Sequence, residues 1–209
     1  PNDPTPIIAG NVSFYNESKN GPIPPSTIVS CLGRLKDVNK AVPAHFQNND
    51  SVILLIGERK NELGGSVYYS LKNELGANVP KPNFEEVKNQ IFALTDCIDS
   101  GLVLSCHDIA DGGVASALAE MTFKNNIGCN VNIESNLSPD KILFSETGGF
   151  ILEVLPKNID TIKSVFSNYG LDVFEIGSTG GESIEINGFT DIYVTETKKA
   201  WTNGLREKL

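Results

Sequence analysis

The chain has 209 residues, 40% of them apolar and 21% charged, enough for one large domain or one domain plus part of another. A net charge of -9 without a dense Lys/Arg stripe argues against a nucleic-acid partner, because phosphate backbones recruit basic surfaces. No apolar run approaches the roughly 20 residues that span a bilayer, and no basic-then-apolar leader pattern occurs, so the sequence predicts a cytoplasmic protein with no membrane partner.

In chain order, "PIIAGNVSF" reads as a strand and its exit, "NESKNGPIPPS" as a loop, and "TIVSCLGRL" as another strand. Two strands and a long loop cannot bury a core, and Pro1 is not a natural first residue. The expectation is therefore a C-terminal part of a longer protein. Residues 1–48 would be a remnant of one domain and 49–209 a domain of their own, with the boundary in "AVPAHFQNNDS". "SVILLIG" is a short β-branched run ending in glycine, a buried strand. "GGSVYYSLKNEL" predicts a glycine-led helix. "PNFEEVKNQIFALTDCIDSG" has helical spacing at Val87, Ile91 and Leu94, with Gly101 as its stop. "LVLSCHDI" is a second buried strand, and "DGGVASALAEMTFKNN" a helix with Val114, Ala117, Leu118 and Met121 on one face. "GCNVNIE", "GGFILEVLP" and "DVFEIGSTG" read as strands, with a helix over "NIDTIKSVFSNYG" and a hairpin turn over "GSTGGE". Alternating helices and strands predict a three-layer α/β or α+β domain.

Three groups of residues carry chemical potential. After Gly10, the residues Asn11, Ser13 and Tyr15 share one face of an extended segment. Glycine admits close approach of a ligand, and an Asn oxygen suits Mg²⁺ on nucleotide phosphates, which takes only one or two protein ligands. The same residues also suit a polar strand edge. In "SCHDIADGG", Asp111 is a candidate helix N-cap, and the two glycines expose N–H groups suited to an anion. His107 and Asp108 point to opposite faces of a strand, so they form no direct dyad and read equally as turn-fixing groups. In "LFSETGGF", Ser145, Glu146 and Thr147 suit either a ribose or substrate amide, or a capped turn. Cys31, Cys97, Cys106 and Cys129 include no CxxC pair, which points to free thiols, with Cys106 buried. His45, in the boundary segment, is expected at the surface.

Taken together, "GNVSFYNES" and "PIPPSTIVSCLG" resemble the closing portion of the ATP-binding domain in the synthetase subunits of the phosphoribosylformylglycinamidine synthase family. "NNDSVILLIG", "GGSVYYS", "SCHDIADGGVASALAEM" and "KILFSETGGFILEV" follow in that family's order. They resemble the C-terminal domain of the aminoimidazole-ribonucleotide-synthetase-like superfamily. The resemblance implies an ATP-dependent C–N ligase that converts formylglycinamide ribonucleotide to its amidine. ATP phosphorylates the formamide oxygen, and ammonia displaces phosphate from the iminophosphate. It implies ATP and Mg²⁺ as cofactors, and a glutaminase subunit and a small accessory subunit as partners. Gly10 would contact ATP, Asn11 would ligate Mg²⁺ and Ser13 would touch the ribonucleotide, while the family's catalytic histidines lie in a half that precedes this segment. The segment alone would be inactive. The alternatives are another ATP-dependent member of the superfamily, of selenophosphate synthetase or thiamine-monophosphate kinase type, or a non-catalytic half that docks the glutaminase.

Overall fold

A computed structural model describes residues 5–11, 16–23 and 27–204, and it divides into two units, Pro1–Lys36 and Asp37–Leu209. In the first unit neither predicted strand is formed among the described residues. Residues 7–10 and 27–35 are irregular and exposed, and the described pairing is a two-residue ladder between β1 (Glu17–Ser18) and β2 (Gly21–Pro22). A strand is completed by its hydrogen-bonded neighbour. The side chains of Ile7, Ile8, Ile28, Val29 and Leu32 remain in solvent.

The second unit is a three-layer α/β domain around one mixed sheet, as the alternation of elements predicts. Its strands are β3 (Val52–Ile56), β4 (Val103–Asp108), β5 (Cys129–Val131), β6 (Phe150–Val154), β7 (Val173–Thr179), β8 (Ser183–Ile186) and β9 (Thr190–Tyr193). They lie in the order β4-β6-β3-β7-β5-β8-β9, antiparallel throughout except for the β5/β8 pair. The central strand β3 alternates its side chains between the two faces. Ile53 and Leu55 join one core cluster, Leu54 and Ile56 the other. The first cluster is closed by α3 (Gly113–Thr122), α4 (Pro139–Phe144) and Val194 of α6 (Val194–Asn203). The second is closed by α2 (Phe84–Asp99) and α5 (Ile159–Asn168).

Helix α2 starts where Asn83 accepts hydrogen bonds from the amides of Glu85 and Glu86, whose charges also favour the positive end of the helix dipole. It buries a different face from the one its large apolar residues predict. Gln90, Ala93, Leu94 and Cys97 face the sheet, whereas Phe84 is 83% exposed and Ile91 46%. The space beneath α2 is shared with Ile162 and Phe166 of α5, both fully buried, so the small side chains of α2 face inward. Helix α3 buries Val114, Ala117, Leu118 and Met121, the face its spacing predicts.

Three further expectations are corrected. The helix expected over "GGSVYYSLKNEL" is only α1 (Val67–Leu71), one and a half turns capped by Ser66 and anchored by Tyr68 stacking on Phe144 at 4.6 Å. The "GSTGGE" loop is not a hairpin. β7 and β8 both pair with β5, so the loop passes over the start of β5, where Gly128 exchanges backbone hydrogen bonds with Gly180 and Gly181. Asp111 does not cap α3. The N-cap is Gly112, with φ 79, a conformation open to glycine and unfavourable for aspartate.

Candidate functional site

Of the three residues that the sequence nominates for a ligand site, Gly10 and Asn11 lie in an exposed irregular segment, and Ser13 lies outside the described residues. Among the described residues a Cβ added at Gly10 would meet nothing within 4 Å, so their packing does not demand glycine there. The exposed amide of Asn11 offers one hard oxygen ligand, which fits an octahedral Mg²⁺ that keeps most of its shell for water and phosphate.

The other two nominated groups converge on each other. Glu146 Oε1 accepts from the amide of Val67 at 2.8 Å and from that of Gly112 at 2.9 Å. One carboxylate thus closes the first turns of α1 and α3, and the double glycine presents no free anion cradle: the Gly113 amide donates to Ala110 O. Gly113 also sets the approach of two helices. Its φ is 68, and a Cβ would lie 2.6 Å from Leu143 O and 2.9 Å from the Phe144 backbone. Ser145 Oγ donates to Lys60 O at 2.6 Å, and Thr147 Oγ1 donates to Glu62 at 2.8 Å. Arg59, which sequence reasoning missed, locks the same loop from below by donating to the carbonyls of Thr147 at 2.6 Å and Gly148 at 2.9 Å. Burial lowers the Arg59 pKa to about 10, against the opposing pull of the nearby Glu62 carboxylate. The "SETGG" groups are therefore spent on joining the 59–67 and 145–149 loops.

A second missed group is Glu153, fully buried in β6. It accepts from the amides of Gln47 (2.7 Å) and Asn48 (2.9 Å) and from Ser105 Oγ (2.8 Å). The available signal was one carboxylate inside the apolar run "FILEV". Nearby His45 is half-buried rather than at the surface. Its pKa is lowered by desolvation first and by Lys124 second, with Glu153 opposing. His107 points its two ring nitrogens to different partners, Asp108 O at 2.7 Å from Nδ1 and Glu120 Oε2 at 3.0 Å from Nε2. Cys97, Cys106 and Cys129 are pushed up to about 11, 12 and 12 by burial, which keeps them as inert thiols, although Cys106 is half- rather than fully buried.

A cleft of about 850 Å³ runs beside β7, with Glu58, Glu134 and Glu175 among its lining groups. The buried Arg59 lines the same cleft, and Gly10 and Asn11 are not among its lining residues.

The sheet order and the helices on both faces define an α/β domain of a known type. The chain belongs to the family described as AIR synthase related protein, C-terminal domain, which matches residues 48–187. Its similar relatives include phosphoribosylformylglycinamidine synthase subunit PurL of Methanothrix thermoacetophila, 36% identical over 100% of this chain and 28% of that protein. The same-named subunit of Thermoplasma volcanium is 36% identical over 96% of this chain and 27% of that protein. The chain thus spans less than a third of the length of these relatives. Among solved structures, Thermotoga maritima PurL complexed with FGAR superposes with a TM-score of 0.67 at 18% identity, over 77% of this chain and 30% of that one. Its complex with ATP gives 0.60 at 20% identity, over 77% of this chain and 28% of that one. These two likenesses concern the fold. Among the described residues, no helix is long and apolar enough to cross a membrane.

Proposed function

We propose that this chain forms the C-terminal portion of an ATP-dependent ligase that makes formylglycinamidine ribonucleotide from formylglycinamide ribonucleotide, ATP and ammonia. The observation that carries the reading is the 36% identity to PurL subunits along the whole chain. In this reading residues 1–48 belong to the ATP-binding domain and 49–209 to the C-terminal domain. A family match that starts at residue 48 and a larger unit that starts at Asp37 both favour a boundary in this region. Gly10 would pass its backbone against ATP, Asn11 would hold Mg²⁺ through its side-chain oxygen, and Ser13 would orient the ribonucleotide. Mg²⁺, when bound, neutralises charge on the transferring phosphoryl group. The chain's own contribution is placement of ligands, with no proton-transfer group among these three residues. A glutaminase subunit and a small accessory subunit would supply ammonia in the cytoplasm.

One observation favours a scaffold role for the larger unit: Ser145 Oγ, Glu146 Oε1 and Thr147 Oγ1 are each engaged by the chain itself. Both readings are tested in the complete synthetase that carries this chain, assayed with formylglycinamide ribonucleotide, Mg-ATP and ammonium. Asn11→Ala is expected to lower apparent Mg²⁺ affinity about tenfold or more. An unchanged rate and Mg²⁺ requirement would leave the whole chain as scaffold. Failure of the wild-type synthetase to form the amidine would remove the ligase reading.

A further inference from the structure

An asparagine followed by glycine is a chemically labile step, because a residue without a Cβ leaves its amide nitrogen open to the neighbouring side chain. The sequence has three such steps, Asn20–Gly21, Asn187–Gly188 and Asn203–Gly204, and the fold treats them differently. Asn187 is clamped to the sheet. Its Oδ1 accepts from the Ile133 amide at 2.8 Å, its Nδ2 donates to Ile133 O at 2.8 Å, and its own amide donates to Val131 O at 2.9 Å. Asn203 closes α6, and the Gly204 amide that follows it donates to Ala200 O at 3.0 Å. Asn20 sits exposed in the turn that joins β1 to β2, where its amide donates to Ser18 Oγ at 3.1 Å. Among the described residues its side chain makes no hydrogen bond. The ladder that holds this turn is two residues long on each strand, and so short a hairpin opens at little cost.

We propose that Asn20 is a site of spontaneous covalent modification, deamidation through a cyclic imide, and that the fold protects the other two steps. The Gly21 nitrogen bonds to Asn20 Cγ, the Cγ–Nδ2 bond breaks, and Nδ2 leaves as ammonia with the Gly21 amide proton. Water then adds to either carbonyl of the five-membered ring and cleaves its bond to nitrogen. One direction gives aspartate at position 20. The other gives isoaspartate, in which the main chain runs through the former side chain and gains a methylene. Either product places a carboxylate where a neutral amide stood. The longer main chain of isoaspartate also removes the register in which Ser18 faces Gly21 and Glu17 faces Pro22. The chemistry needs only Asn20, Gly21 and water, and does not depend on the ligase reading. At Asn187 the same attack first requires loss of three hydrogen bonds to the sheet, and at Asn203 it requires unwinding of the end of α6.

The test is a time course of the 209-residue chain in warm neutral buffer, read by peptide mass spectrometry at all three steps and by isoaspartate-specific enzymatic methylation. The expected result is conversion of amide to acid at Asn20, with isoaspartate among the products, while Asn187 and Asn203 react about tenfold or more slowly. In unfolding concentrations of urea Asn187 and Asn203 should rise toward the rate of Asn20, whose own rate should change little. Gly21→Ala, which crowds the attacking nitrogen with a methyl group, should slow the reaction at Asn20. An opened hairpin could only expose that step further, so a slower rate in this variant reports on the chemistry and not on folding. An intact Asn20 after Asn187 or Asn203 has reacted would overturn the proposal. So would equal rates at the three steps in the folded chain, slow reaction at Asn187 and Asn203 that persists in urea, or conversion at Asn20 without isoaspartate.

Discussion

Removing the Glu153 carboxylate is expected to be the most damaging single substitution in the larger unit. In Glu153→Ala the amides of Gln47 and Asn48 and the hydroxyl of Ser105 lose their acceptor, at a position with no solvent exposure. Hydrogen bonds to a charged group are worth about 1.5–3 kcal/mol each. The sum is an upper limit, because water reaches the loop amides once the side chain is gone. The expectation is therefore a loss of about 3–5 kcal/mol, below the sum for three such bonds, as three neutral donors lose their acceptor. Glu153→Gln retains one acceptor oxygen but turns an NH₂ group toward a donor, and should cost about half as much. Ser105→Ala removes a single donor and should cost roughly 1 kcal/mol. Equilibrium unfolding in urea measures all three, through the midpoint at constant m-value. Hydrogen exchange adds a local readout, loss of protection at the Gln47 and Asn48 amides. A cost below about 1 kcal/mol for Glu153→Ala, or equal stability of Glu153→Gln and wild type, would refute the account of this cluster.

Three other substitutions test the loop and turn geometry. Glu146→Ala should destabilise by about 1.5–3 kcal/mol and raise exchange at both Val67 and Gly112 amides together, since one oxygen serves both. Gly113→Ala should cost at least 2 kcal/mol by thermal unfolding, because it combines a left-handed backbone with a Cβ driven into the α4 carbonyls. His45 contributes a pH dependence of known sign. Its folded-state pKa lies below 6.5, so the unfolded chain binds the extra proton first, and stability falls as pH drops from above 7 through 6.5 toward the folded value. His45→Gln should flatten that part of the stability–pH curve.

The sequence carried most of the larger unit. β3, β4, β6 and β7 announce themselves as dense apolar runs, and α3 as a regular buried stripe. α2 misled because its largest side chains point outward, and spacing alone does not say which of two apolar stripes meets the sheet. α4 and α6 went unassigned. The first is a six-residue helix, and the second buries only Val194, so neither has the periodic face that marks a longer core helix. β8 and β9 are four-residue strands, and the passage from β7 to β8 around β5 is a topological fact with no local signature. At the candidate site, residue types were visible but partners were not. Nothing in "SETGG" reveals that Arg59 and Glu62, more than eighty residues earlier, complete its bonds.

The position of β3 at the sheet centre has a kinetic consequence. Its two neighbours are β6 and β7, and Val52 pairs with Val154 on one side and Ser178 on the other. Neither neighbour is synthesised until about a hundred residues after β3 has left the ribosome. For that interval a strand of five apolar residues has no native edge to join. Pairing over such separations makes folding slow and leaves the early chain prone to self-association. Nascent chains halted before residue 150 are accordingly expected to bind chaperones, and those extended past residue 180 to release them.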